Sequence, residues 1–198
     1  MPLAEPPGFY ATVGAVLTPA VEQSFSTTSA NGTSITGTSD VGAGLGSEAG
    51  IGYDFGKARA EITAIYNPRS VNSTTVDLPL GPTTFQLDDV SIKTTSLMVS
   101  GYGDIPIIRN KLEAYLGGGI GVRYTTIDAF SLTPIPGVTI QVPSDHDTNF
   151  GYQAKLGLNY KVQKKLDLFA EAIYAGTVTS NDGNLGILGV RIGTRRRF

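Results

Sequence analysis

The chain has 198 residues and a formal net charge of -2, from 15 Lys and Arg against 17 Asp and Glu, with only 16% charged residues, whereas soluble domains carry roughly 25%. That length can bury a full core in one domain, and the charge balance excludes a basic nucleic-acid-binding surface and an acidic disordered chain. Cysteine is absent, which excludes disulfide staples and thiolate metal sites.

No stretch approaches the ~18 consecutive apolar residues of a transmembrane helix. The opening MPLAEPPGFY lacks a charged segment followed by an apolar one. It reads as Met1 added ahead of a mature chain whose signal peptide is gone. Glycine, at 25 residues, weakens any long helix, and two-residue alternation runs through the whole chain.

The first expected strand, about 8–17, puts Phe9, Ala11, Val13, Ala15 and Leu17 on one face and Tyr10, Thr12 and Gly14 on the other. A second, about 43–55, sets Leu45, Ala49, Ile51, Tyr53 and Phe55 opposite Glu48, Gly50, Gly52 and Asp54. Gly56 and Lys57 turn it into a third, about 58–66, with Ala60, Ile62 and Ala64 opposite Arg59, Glu61 and Thr63. The stretch from about 67 to 90, with Pro68, Pro79 and Pro82, reads as loop. A fourth strand, about 91–104, and a fifth, about 111–124, follow across a short turn; the fifth alternates Leu112, Ala114, Leu116, Ile120 and Val122 with Glu113, Tyr115, Gly117, Gly119, Gly121 and Arg123. After a long loop at about 125–148, strands at about 150–162, 165–176 and 186–198 place Lys155, Asp167, Glu171 and Arg191 on the polar face.

Long connections, at about 18–42, 67–90, 125–148 and 176–185, alternate with short turns, which predicts an all-β, eight-stranded antiparallel up-and-down barrel as a single domain over residues 1–198. All long loops then lie at one end, and the short turns and both termini at the other.

Alternation alone leaves two barrels open: a soluble lipocalin-like one with apolar residues inside, and a transmembrane one with them outside. The polar face is too sparsely charged for a solvated exterior. The apolar face carries Tyr53, Tyr66, Tyr124, Tyr160, Tyr174 and Phe198 near strand ends, where interfacial girdles lie. These features favour the membrane barrel.

The segments GFYATVGAVL, GYDFGKARAEITAIY, GYGDIPI, LEAYLGGGIGVRY, FGYQAKLGLNYKV, KLDLFAEAIYAG and GVRIGTRRRF resemble the small bacterial outer-membrane barrels of the OmpA, OmpX and Opa-like superfamily, porin-like surface antigens among them. The resemblance covers nearly all the strands and none of the long loops. It implies an outer-membrane protein with periplasmic termini, in contact with outer-membrane lipid, expected to be a monomer, and with loops available to an extracellular ligand or host surface. Barrels of this kind characteristically end in an aromatic residue read by the outer-membrane assembly machinery, a role that falls to Phe198. The family usually has an apolar residue two positions earlier, where this chain has Arg196, and tryptophan is absent here.

No catalytic, cofactor or metal site is expected. The lone histidine, His146, is flanked by Asp145 and Asp147, with Ser131 or Ser144 as conceivable neighbours, in what reads as a polar loop. GGGIG at 117–121 lacks the helix and lysine of a phosphate-binding loop. The candidate functional feature is a set of inward charges: Arg59, Arg123, Lys155 and Arg191 against Glu48, Glu61, Glu113, Asp167 and Glu171. In so narrow a space they must pair or meet water. They would form a plug that fills the barrel, or a gate whose pairs rearrange to pass water, ions or very small solutes. The favoured function is a non-enzymatic surface-exposed structural or interaction protein; the narrow pore and the soluble ligand-binding barrel are the alternatives.

Overall fold

The structure, a computed structural model, describes residues 7–28, 34–78, 81–108, 111–135, 138–179 and 183–198. Along the chain the strands are β1 (Gly8–Thr18), β2 (Val21–Thr28), β3 (Ser34–Val41), β4 (Gly44–Asp54), β5 (Ala58–Leu78), β6 (Gly81–Ile108), β7 (Leu112–Ile127), β8 (Phe130–Ile135), β9 (Val138–Val142), β10 (Asp145–Gln163), β11 (Leu166–Thr179) and β12 (Gly183–Arg197). There is no helix among the described residues. Eight strands close an antiparallel ring in the order β5-β4-β1-β12-β11-β10-β7-β6, and β6 pairs back onto β5. β1 meets β12 from Tyr10↔Arg197 to Leu17↔Val190, which joins the two ends of the chain and leaves the ring no open edge.

The two-residue period decides which side chains face in. Tyr10, Thr12, Val16 and Thr18 of β1 are buried, and Phe9, Val13 and Leu17 between them are exposed. The same alternation buries Glu48, Arg59, Glu61, Lys155 and Glu171 and exposes Leu45, Ile51, Ile62, Leu116 and Leu156. A lipocalin-like barrel requires the reverse, so the soluble alternative is overturned. Phe9 to Leu17 covers about 27 Å of strand at ~3.4 Å per residue, in keeping with a tilted crossing of an apolar band about 25 Å tall. Aromatic side chains mark both borders: Phe9 packs edge-on to Tyr53 at 4.9 Å, next to Phe55, and Tyr66, Tyr124, Phe150 and Tyr174 are exposed toward the other end.

The short turns match the expected positions. Between β4 and β5, Gly56 takes the left-handed backbone with φ 100°, and Asp54 Oδ1 accepts its N–H at 2.7 Å. A side chain with a Cβ is disfavoured in that conformation.

The long connections differ from the expectation. Residues 67–78 continue β5 and 81–90 already belong to β6, so the two form one hairpin that rises past the girdle. Pro68 is accommodated because β5 has left β4 at Ser47↔Tyr66 and joins β3 only at Val41↔Val71, an edge-like gap where a missing N–H breaks no ladder. Beyond it, Val71, Leu87 and Val90 form a small apolar cluster with Ile92 and Ile127. β2 and β3 form a second hairpin in the expected 18–42 loop, and β8 and β9 a third in the expected 125–148 loop. Arg69 ties the β2–β3 hairpin to β5, donating to the carbonyls of Gly42 at 3.1 Å, Pro19 at 2.9 Å and Val41 at 3.4 Å.

Candidate functional site

The inward side chains meet in the barrel because glycines opposite them leave room. A Cβ at Gly157 would lie 2.5 Å from Tyr115 Cζ, and one at Gly117 would overlap the Tyr102 ring. The two tyrosines therefore lie across the lumen, edge to face, with centroids 5.8 Å apart. The strand GGGIG thus supplies space and no phosphate loop.

Two cations and three carboxylates converge beside these rings. Arg191 Nη1 donates to Glu171 Oε1 at 2.7 Å, and its Nη2 lies 2.6 Å from Glu48 Oε1 and 3.8 Å from Glu61 Oε1. Lys155 Nζ stands 3.5 Å from Glu171 Oε1 and 4.0 Å from Glu48 Oε2, and donates to Tyr102 Oη at 3.1 Å. Tyr102 Oη in turn donates to Glu61 at 3.1 Å, and Tyr115 Oη to Glu171 at 2.7 Å. Side-chain exposure in this cluster is 0–3%. Charges removed so fully from water persist only with partners of this kind.

Toward the turn end a second tier continues the packing. Arg59 makes a two-pronged contact with Asp104, with Nε–Oδ2 and Nη2–Oδ1 both 2.8 Å, while its guanidinium lies 4.7 and 4.8 Å from the Tyr102 and Tyr115 ring centroids. Asp167 accepts from Arg195 at 2.9 Å and faces Arg197 at 3.1 Å; Glu113 pairs with Lys161 at 2.7 Å. A cavity of about 10 Å³ lies among these groups, bordered by Arg59, Glu61, Tyr102, Tyr115, Glu171 and Arg191. That is about enough for one water.

Of the nine charges singled out in the sequence, Glu48, Glu61, Lys155, Glu171 and Arg191 come together in one cluster, and Arg59, Glu113 and Asp167 pair closer to the turns. Arg123 does not join them: it donates to Thr177 Oγ1 at 3.1 Å and makes no ion pair among the described residues. Sequence reasoning omitted Asp54, Asp104, Lys161, Tyr102 and Tyr115 as partners, although all share the inward parity that would have found them. Phe198 is 71% exposed, and its N–H donates to the Phe9 carbonyl at 3.1 Å.

His146 lies in β10 and not in a loop; it is exposed, its ring tilted toward Tyr124 at 6.1 Å. The side chain of Ser131 falls outside the described residues. No group of three or more His, Cys, Asp or Glu among the described residues is arranged to hold a metal ion. At the loop end Lys93 hydrogen-bonds Asp128 at 2.7 Å, and that bond, with the carboxylate charge, raises the lysine's pKa.

Residues 2–198 match the family model described as outer membrane protein beta-barrel domain. The chain belongs to this family. Its members are bacterial outer-membrane proteins, and the exposed apolar belt of this barrel accordingly sits in outer-membrane lipid. The fold is similar to that of Neisserial surface protein A, NspA, at 17% identity and a TM-score of 0.60, over 96% of this chain and 97% of that one. It is also similar to OprG from Pseudomonas aeruginosa, at 17% identity and a TM-score of 0.59, over 98% and 97%. The outer membrane protease OmpT from Escherichia coli aligns over 96% and 97%, with 9% identity and a TM-score of 0.52. No curated protein matches the chain. At these identities the likeness is one of fold.

Proposed function

We propose that this outer-membrane β-barrel is a non-enzymatic, surface-exposed structural or interaction protein whose lumen is plugged and whose loop-end hairpins meet the surroundings of the cell. The observation that carries this reading is the central cluster of Glu48, Glu61, Lys155, Glu171 and Arg191, buried and mutually paired across the lumen beside a cavity of only about 10 Å³. An eight-stranded ring is just wide enough for side chains to fill, and here they fill it with mutually paired charges. Among the described residues, the hairpins β2–β3, the upper half of β5–β6 and β8–β9 project beyond the belt, a platform suited to an extracellular ligand or host surface. In this reading the short turns and both termini are periplasmic, the barrel acts as a monomer, and Phe198, exposed after β12, is the residue that the assembly machinery reads.

Planar-bilayer recording tests the plug together with surface labelling of intact cells. Purified protein should give no discrete conductance steps, and a tag placed between Thr28 and Ser34 should react with an impermeant probe. Regular steps from the wild-type barrel would replace this reading with the narrow pore. That second reading draws on the unequal numbers in the cluster, three carboxylates to two cations, which leave one negative charge for a passing cation or proton to meet.

A further inference from the structure

The net charge of -2 conceals a sorting of charge along the barrel axis. Each connection at the turn end carries an exposed cation: Lys57 between β4 and β5, Lys111 between β6 and β7, Lys164 and Lys165 between β10 and β11. Arg196, exposed near the end of β12, supplies the fourth position around the ring. None of these five has a carboxylate partner among the described residues. The carboxylates at that end point inward instead, Asp54 toward Arg197, Asp104 toward Arg59, Glu113 toward Lys161 and Asp167 toward Arg195. The loop end is the opposite, with Glu22, Asp77, Asp145 and Asp147 exposed and Lys93 occupied by Asp128.

The free cations sit at the level of the turn-end girdle. Lys111 Nζ lies 5.8 Å from the Tyr160 ring centroid, Arg196 is two residues from Phe198, and Lys57 two from Phe55. Aromatic rings at that depth mark the boundary between acyl chains and headgroups, and long basic side chains beside them extend to the phosphates.

We propose that the turn-end rim is a binding surface for anionic phospholipid headgroups of the leaflet that borders it. Charge complementarity selects a phosphate-bearing partner, and the distribution of the cations selects lipid. They are spaced around the whole circumference, so an annulus of lipid reaches all of them, whereas an acidic protein docking from one side would meet one or two. The acidic loop end repels the same headgroups, so the preference belongs to one leaflet only. This holds whichever role the loops have.

Spin-labelled lipids test it. The wild-type protein, refolded into phosphatidylcholine vesicles, should retain spin-labelled phosphatidylglycerol in its motionally restricted shell several-fold over spin-labelled phosphatidylcholine, and rising salt should erode the preference. The combined variant Lys57→Gln, Lys111→Gln, Lys164→Gln, Lys165→Gln and Arg196→Gln should bring the ratio to near one while keeping the heat-dependent gel shift of a folded barrel. A loop-end variant, Asp145→Asn with Asp147→Asn, should leave the ratio as in the wild type. A wild-type ratio near one, or a ratio that survives neutralisation of the folded five-site variant, would overturn the proposal.

Discussion

Glu171 accepts a hydrogen bond from Tyr115 at 2.7 Å and one from Arg191 at 2.7 Å, and it faces Lys155 at 3.5 Å, all with almost no exposure to water. Removing it takes the acceptor from the Tyr115 hydroxyl and from Arg191 Nη1 and leaves Lys155 with Glu48 at 4.0 Å as its remaining carboxylate partner. Because the loss of one member of a buried pair costs about 3–5 kcal/mol, Glu171→Ala should lower stability by a value in that range in denaturant unfolding of the refolded barrel, and Lys155→Ala by a similar amount. Arg123 is the internal contrast. With a hydroxyl and no carboxylate as partner, Arg123→Ala should cost clearly less than Glu171→Ala in the same measurement. Equal losses at Glu171 and Arg123 would mean that volume, and not charge pairing, determines lumen stability.

The strands of the ring share an apolar outward face. Leu116 of β7 and Leu156 of β10 are each 61% exposed, directly opposite each other in the ladder and between the two aromatic borders. An arginine at either would sit in hydrocarbon, and Leu116→Arg or Leu156→Arg should weaken folding into bilayers by about 2–4 kcal/mol, with Ser73→Arg on the raised part of β5 close to neutral. Indistinguishable folding of all three in lipid vesicles would contradict the outward assignment. Above the belt, Arg69 is the only side chain described that holds the β2–β3 hairpin by three backbone carbonyls of its base. Arg69→Ala should therefore leave the barrel folded and speed amide exchange across residues 21–28 and 34–41. Protection there equal to the wild type would show that the β3–β5 ladder suffices.

For the molecule as a whole, closure and conduction are separate consequences of the same ring. The β1–β12 seam ends with the Phe198 N–H on the Phe9 carbonyl, a single contact at the rim. If Phe198 has the proposed role, deleting it should reduce outer-membrane insertion in cells while folding in detergent proceeds, since its exposed ring contributes little packing; unchanged assembly would remove that role. Conductance belongs to the lumen. Glu48→Ala, which opens the cluster between Lys155 and Arg191, should raise bilayer conductance above the wild-type baseline, and a silent variant that still folds would show that the tyrosine tier blocks the path alone.

Period-two alternation is a local property, and it was enough to place the eight crossings, their short turns and the parity of every inward charge. Which side chains share a face depends on position along one strand, and the contrast between Leu116 and Tyr115 is already written in LEAYLGGGIG, whereas which of the two faces is the lumen is decided in the closed ring. Two features had no such local signal. Pro68, Pro79 and Pro82 made residues 67–90 read as loop, yet pairing from Ser70↔Ser91 to Leu78↔Gly81 carries the sheet upward, because hydrogen bonds from a neighbouring strand outweigh the propensity of single residues. The pairing of charges was equally hidden. Arg191 lies directly across from Glu171 on the next strand, but it reaches Glu48 and Glu61 only because the ring closes and brings β4 and β5 round to face β12. Partners across a lumen, and which face lines it, depend on register and closure, which belong to the tertiary structure, whereas which residues share a face depends on the strand alone.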